Sequence, residues 1–361
     1  MSRRAVIVGA LALAAVVVAI AVLLLVRGGE EQRAGVSTRA RAIALGPDGA
    51  GFAAVERLDD GRWRSGVLRV GAGGGLDDEF VEVGIHNPVA IALDRDGSAL
   101  VAGDRVAGGR RVLAVARVAR DGKPDARFGR GGVATVPAGG GDAVARGVAV
   151  GAGGAVVVAG DATRSKGPAL AVARLDRAGG APHVDLIDGA TAGGAAAGRD
   201  GGVLVAGTDA DDGALLARVP ADGGAPKVSR ARTRLTSARW TAVAPLADGG
   251  AVAIGSARGR DVRSVVTLQR FDRDGRATTG SGTPAGDGDA YAAGAAVGGS
   301  GTIVVAANGV HGDGPAAFTF VLGSNAPPRQ RGAGLAAGIA PTGALLTTRW
   351  DGVRQRAAFV H

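Results

Sequence analysis

The chain has no cysteine among its 361 residues. That excludes a disulfide scaffold, a thiolate metal centre and a cysteine nucleophile. Histidine is nearly absent as well, and His86, His183, His311 and His361 lie too far apart in the sequence to share a metal through local spacing. Aromatic residues make up only 3%, so any core is built from Ala, Val, Leu and Ile. Lysine occurs only at 123, 166 and 227, and the 42 basic residues are otherwise arginine. The arginines are spread evenly with acids among them. Despite a net charge of +9, no basic arm of the kind that grips nucleic acid is present. No nucleic-acid partner is expected.

One long hydrophobic run exists. Residues 5–26 (AVIVGALALAAVVVAIAVLLLV) carry no charge and no side-chain hydrogen-bonding group. As a helix the run would be about 33 Å long, against a hydrocarbon core of about 30 Å. Arg3 and Arg4 precede it, which favours a cytoplasmic N-terminus. The expectation is a short cytoplasmic tail (1–4), an uncleaved transmembrane signal anchor (5–26) and a linker (27–35). The alternative is a cleaved secretory signal, although the ending Leu23-Leu24-Leu25-Val26-Arg27 suits cleavage poorly. Either reading puts residues 36–361 outside the cytoplasm.

Those residues repeat. AIALGPDGAGFAAVE from Ala42, AIALDRDGSALVAGD from Ala90 and GVAVGAGGAVVVAGD from Gly147 begin a series that continues from Gly194, Ala242, Gly294 and Gly338. The turn glycines are Gly49, Gly97, Gly154, Gly201, Gly249, Gly301 and Gly343, one every 49 residues or so. Alternating apolar residues mark strands with one buried face, and Asp-Gly or Gly-Gly pairs mark hairpin turns. Three strands per unit are legible, with a tail long enough for a fourth. Four antiparallel strands in 40–50 residues describe a propeller blade. The expectation is an all-β, seven-bladed β-propeller over residues 36–361, with units near 36–88, 89–144, 145–192, 193–238, 239–289, 290–333 and 334–361. Residues 36–41 are expected to pair with the strand around Arg356 as the outer strand of the last blade, closing the ring.

Residues 112–136 (VLAVARVARDGKPDARFGRGGVATV), with AIALDRDGSALVAGD before them, resemble the bacterial delta-60 repeat. The first unit matches in register: Leu68-Arg69, Gly74, Leu76-Asp77 and Phe80 stand against Ala116-Arg117, Gly122, Pro124-Asp125 and Phe128. Later units keep the arginine at 174, 218 and 270 but lose the tail, and Val321 replaces it in the sixth. The resemblance implies a bacterial surface or secreted propeller-like protein and brings no catalytic residues. The strand pair alone would equally suit an NHL-type propeller.

Motifs for chemistry are few. The acidic turns Asp94-x-Asp96-Gly97, Asp209-x-Asp211 and Asp272-x-Asp274-Gly275 lack the six to eight oxygens that Ca²⁺ needs and read as turn formers. Neither a nucleophile elbow nor a phosphate loop is present. No catalytic residue, metal or cofactor is expected, and the chain is not expected to be an enzyme. The recurrent arginines Arg69, Arg117, Arg174, Arg218 and Arg270 would either lie on a solvated face, paired with a turn acid such as Asp121, Asp176 or Asp272, or form an anion-binding ring. Trp63 and Trp350 flank Asp-Gly turns in the first and last units. Ring closure would make them neighbours, as a ligand-binding pair or as the cover of the closure seam. The functional expectation is a membrane-anchored binding module for an envelope protein or glycan. The alternatives are a propeller hydrolase or lyase acting on envelope glycans, and a degenerate structural repeat.

Overall fold

A computed structural model describes residues 37–360 apart from 73–74, 78, 234, 259–262, 284–287, 298–300, 313, 323–327, 334, 340–344 and 351–354. The expected anchor at 5–26 therefore lies outside the described residues. Among the described residues no helix is long and apolar enough to cross a membrane.

The first unit shows how the sequence makes a blade. An inner strand, Thr38–Leu45, turns back at Gly49 (φ +79°) into a second strand, Gly51–Asp59. The tight Asp60-Gly61 turn then leads to a third strand, Arg62–Val70, and Val81–Glu82 adds a short outer strand. The turn glycines at 97, 154, 201, 249 and 301 all share this positive φ, the conformation in which a side chain is strained and glycine is not. The aspartates beside them hold the turns. Asp48 accepts the Ala50 amide, Asp96 that of Ser98, Asp200 that of Gly202 and Asp248 that of Gly250, at 2.9–3.1 Å.

Six such four-stranded antiparallel blades are present, and the last unit forms a three-stranded sheet of Leu335–Ile339, Leu345–Trp350 and Gln355–Val360. The expectation of seven full blades is thus corrected to six. The expected closure is corrected too. Residues 38–41 are the first half of blade one's inner strand, in register with its own second strand from Thr38 opposite Arg57 to Leu45 opposite Gly51. The bulge at Arg41 disguises this, because it breaks the alternation halfway along the strand.

The ring closes by face-to-face packing. The inner strands, which begin at Thr38, His86, Ala143, Thr191, Thr236, Tyr291 and Leu335, each touch the next, and the last touches the first. A buried apolar cluster fills every junction. Leu346 and Ala357 of the last sheet meet Ala40, Ala53 and Leu68 of blade one in the cluster that seals the circle. The recurrent Ala-Gly of the second strand belongs to this packing. A Cβ on Gly160 would stand 2.5 Å from Leu113 of the preceding blade, and one on Gly207 2.5 Å from Leu170. Each buried Leu or Val contributes about 1.5–3 kcal/mol, and the small residue lets the neighbouring sheet come close enough to supply it.

Candidate functional site

Successive turns of an up-and-down sheet fall at opposite ends, so the propeller has two distinct faces. One carries the turns between second and third strands and the starts of the inner strands. The other carries the turns after the first and third strands.

On the first face, every unit places a polar residue immediately after the Ala-Gly position of its second strand: Glu56, Asp104, Asp161, Thr208, Ser256, Asn308 and Thr348. Five of them hold the neighbouring blade's inner strand by accepting a backbone amide. Ala192 donates to Asp161 (2.7 Å), Trp240 to Thr208 (3.0 Å), Ala292 to Ser256 (2.7 Å), Ala336 to Asn308 (2.6 Å) and Ala40 to Thr348 (2.8 Å). A buried amide without an acceptor costs about 1–3 kcal/mol, which accounts for a polar residue in an otherwise apolar column.

The three consecutive carboxylates differ from the rest because each carries an arginine. Arg41 donates from Nε (2.8 Å) and Nη2 to one oxygen of Glu56. Arg111 binds one oxygen of Asp104 from Nε and Nη2, both at 2.9 Å, and Asn87 adds a contact at 3.3 Å. Arg146 donates from Nε to Asp161 at 2.8 Å. Arg41 and Arg146 are the extra residues of β-bulges in their inner strands, and a bulge re-aims the side chain it carries. Thr241, Ala293 and Ala337 occupy the corresponding bulges in blades five and six and the last sheet. The three arginine side chains are 38%, 41% and 39% exposed, whereas Glu56 and Asp104 are buried. A planar guanidinium anchored by its Nε edge keeps the remaining Nη donors for a second acceptor. Blades one to three thus present three arginines on this face, Arg41 and Arg146 from inner strands at the mouth of the central channel and Arg111 from a third strand.

Trp63 lies on the same face. It stands opposite Leu58 in the third strand of blade one, half-buried, as its spacing from the Asp60-Gly61 turn implied. Arg39 stacks on its ring with Cζ 3.8 Å from the centroid. The Nε of Arg39 donates to the Gln355 side chain of the last sheet. Trp350 pairs through its backbone with Gln355, and its side chain lies outside the described residues. The third tryptophan, Trp240, is buried in the junction of blades four and five.

The recurrent third-strand arginines occupy the opposite face, where they tie blades together. Arg117 donates to the Arg177 carbonyl in the next blade at 3.0 Å, Arg174 to the carbonyls of Gly223 and Gly224, and Arg218 to that of Asp272 at 2.9 Å. Their acids also differ from those expected. Arg117 is buried on Asp94 (2.9 Å) and Asp96 (2.7 Å), and Arg270 meets Asp248 at 2.5 Å. Of the expected partners, Asp272 takes part only through its backbone. Burial pushes the Asp96 carboxyl up. Hydrogen bonds from the Ser98 side chain and amide, with the charge of Arg117 and a bond from Arg177, outweigh that push and hold it at about 2.

The polar column of the first face is present in the sequence at the position that follows Ala-Gly in units two to four, where the seven units carry Glu, Asp, Asp, Thr, Ser, Asn and Thr.

No family model matches the chain, and no curated protein matches it. Solved structures do. The virginiamycin B lyase of Staphylococcus aureus is 10% identical over 91% of this chain and 97% of its own, with a TM-score of 0.55. The β-propeller domain of Cps50 (Swd1) from Myceliophteria thermophila is 13% identical over 92% and 98%, at 0.56. The β-propeller domain of the Trilobed protease from Pyrococcus furiosus, which has an open velcro topology, is 8% identical over 90% and 93%, at 0.53. The expectation that the chain is not an enzyme is corrected accordingly: a lyase shares this architecture along nearly its whole length, so the architecture excludes no catalysis. At these identities the likeness shows the fold, and the fold is a β-propeller.

Proposed function

We propose that the protein is a recognition module whose channel mouth binds an acidic envelope glycan or an acidic segment of an envelope protein. The observation that carries this reading is the set Arg41–Glu56, Arg111–Asp104 and Arg146–Asp161. Three consecutive blades each fix an arginine on a carboxylate at one level and leave its outer donors to solvent. Such a set recognises carboxylate or sulfate groups through planar, charge-assisted bonds. The stacked Trp63 extends the same face toward Trp350 and suits the apolar side of a sugar. The A-R-L core at Arg174, the A-R-V at Arg218 and the Asp-x-x-Phe tail at Phe128 support units of the delta-60 type. The charge-free run 5–26 supports a location outside the cytoplasm.

The test uses the full chain with polygalacturonate as the acidic probe and dextran as the neutral one, followed by calorimetry. Replacing whole pairs (R41M/E56Q, R111M/D104N, R146M/D161N) avoids leaving a buried carboxylate alone. Each pair replaced weakens polygalacturonate binding about tenfold, since a hydrogen bond to a charged group contributes about 1.5–3 kcal/mol. Thermal unfolding of each variant checks the fold. Equal affinity for dextran and polygalacturonate, or unchanged affinity in well-folded variants, overturns the reading.

A further inference from the structure

On the opposite face, clefts open between neighbouring blades, and three of them differ in how their charge is settled. Between blades one and two, a cleft of about 730 Å³ holds Arg69, Arg95 and Arg120 against Asp48, Asp94 and Asp96. Between blades three and four, one of about 420 Å³ has mainly apolar walls, with Arg174 and His183 against Asp176. Between blades four and five, a cleft of about 330 Å³ gathers Arg199, Arg218, Lys227 and Arg273 against Asp200 alone.

The imbalance in this last cleft is not relieved by its neighbours. The Arg218 guanidinium spends its Nη groups on two backbone carbonyls, of Gly249 and Asp272. Its buried Nε meets no acceptor among the described residues. Asp200 already accepts the Gly202 amide of its own turn. Arg199 and Lys227 have no carboxylate within 4.0 Å among the described residues, and Arg273 only touches Asp274 at 3.9 Å. Four like charges around a small concavity repel one another, and more strongly beside protein than in bulk water. Arg218 ties blade four to blade five, whereas Arg199 and Lys227 have no counter-charge among the described residues.

We infer that the cleft between blades four and five is a binding site for a small phosphorylated or sulfated solute, with Arg199, Lys227 and Arg273 as its ligands and Arg218 as its positively charged floor. The volume suits a compact solute. A tetrahedral oxoanion presents enough acceptors for two arginine forks and a lysine at once. This site is independent of the channel mouth, which lies on the other face and uses other residues.

Inorganic pyrophosphate titrated into the full chain by calorimetry is the test. Binding is expected, weakened at least tenfold in R199Q/R273Q and again in K227Q. The control R95Q/R120Q, from the charge-balanced cleft, retains the affinity, and all variants keep their melting temperature. Sedimentation with phosphatidylglycerol vesicles distinguishes a solute from a lipid headgroup. Absence of pyrophosphate binding at millimolar concentration overturns the inference. So does an equal loss in the control, which would show a diffuse charge effect, and so does vesicle binding without pyrophosphate binding. Neither R199Q nor K227Q alters the arginines of the channel mouth, so polygalacturonate affinity stays as it was and separates the two readings.

Discussion

The Thr348 hydroxyl accepts the Ala40 amide at 2.8 Å and lies 3.4 Å from the Ala40 carbonyl, across 308 residues of chain. It repeats for the last sheet and blade one what Asp161, Thr208, Ser256 and Asn308 do at four other junctions. The ends of the ring are thereby joined by a side chain, without a shared strand. Gln355 reinforces the joint, its amide donating to Ser37 at 3.2 Å.

Thr348→Val therefore leaves the Ala40 amide without its acceptor in a packed seam. Denaturant unfolding should show a loss of about 1–3 kcal/mol. Thr348→Ser, which keeps the oxygen, should lose less than about 1 kcal/mol. Equal stability of the two variants would remove the hydrogen bond from the account of closure and leave the apolar cluster around Leu346 as the whole of it.

This joint also marks where sequence reading stops. The turns were legible because Gly97 or Gly201 needs positive φ, and only a few residues tolerate that. Strand positions were legible because burial on one face imposes a period of two. The closure is not legible because a bulge at Arg41 shifts the period, so that residues 36–41 look like a spare strand. A bulge shows only in the pairing of the assembled sheet, not in the residue type that carries it. The channel-mouth arginines escaped for the same reason. Arg41 and Arg146 share a face with Arg111 only once the blades are arranged in a circle, and Arg111 lies in a third strand, not an inner one. The third-strand arginines were visible as a repeat, but their acceptors are backbone carbonyls of the next blade, which no residue type announces.

Arg117 is the most deeply placed of these, holding Asp94 and Asp96 in its own blade and a carbonyl in the next. Arg117→Met strands the buried Asp94 carboxylate, for which about 3–5 kcal/mol is expected. Arg117→Lys recovers only part of this, because an ammonium cannot span two carboxylates, the Ser98 hydroxyl that accepts from Nε at 3.0 Å and a carbonyl at once. Urea titration of both variants measures the difference. A methionine variant as stable as the parent would show that Arg177, 3.6 Å from Asp94, suffices.

The same cluster sets an acid limit. Asp96 has a carboxyl lowered from 3.8 to about 2 in the fold, so the folded protein binds its proton less readily than the unfolded chain. Above about pH 5 both states are ionised and the stabilisation is complete. As pH falls through 3.8 toward 2, the unfolded chain takes up the proton first and that stabilisation is lost. Asp96→Asn should flatten the stability profile in this window, lying below the parent at pH 7 by the stabilisation that the parent loses on acidification and converging with it near pH 2. Parallel profiles for the two proteins between pH 5 and 2 would assign the acid sensitivity to other carboxylates.

Trp63 tests whether the channel face and the seam are separable. Its ring is covered on one side by Arg39, which reaches on to Gln355 of the last sheet. An exposed cation–π contact contributes about 0.5–1 kcal/mol, and partial burial of the indole adds to it, so Trp63→Ala should destabilise the fold by about 1–2 kcal/mol. In a double-mutant cycle with Arg39→Met, about 0.5–1 kcal/mol of that loss should be shared. Polygalacturonate affinity gives the second measurement on the same variants. If Trp63 contacts the ligand, Trp63→Ala weakens binding while Arg39→Met does not. If both variants lose stability and neither loses affinity, the indole belongs to the seam alone, and binding at the channel mouth rests on Arg41, Arg111 and Arg146.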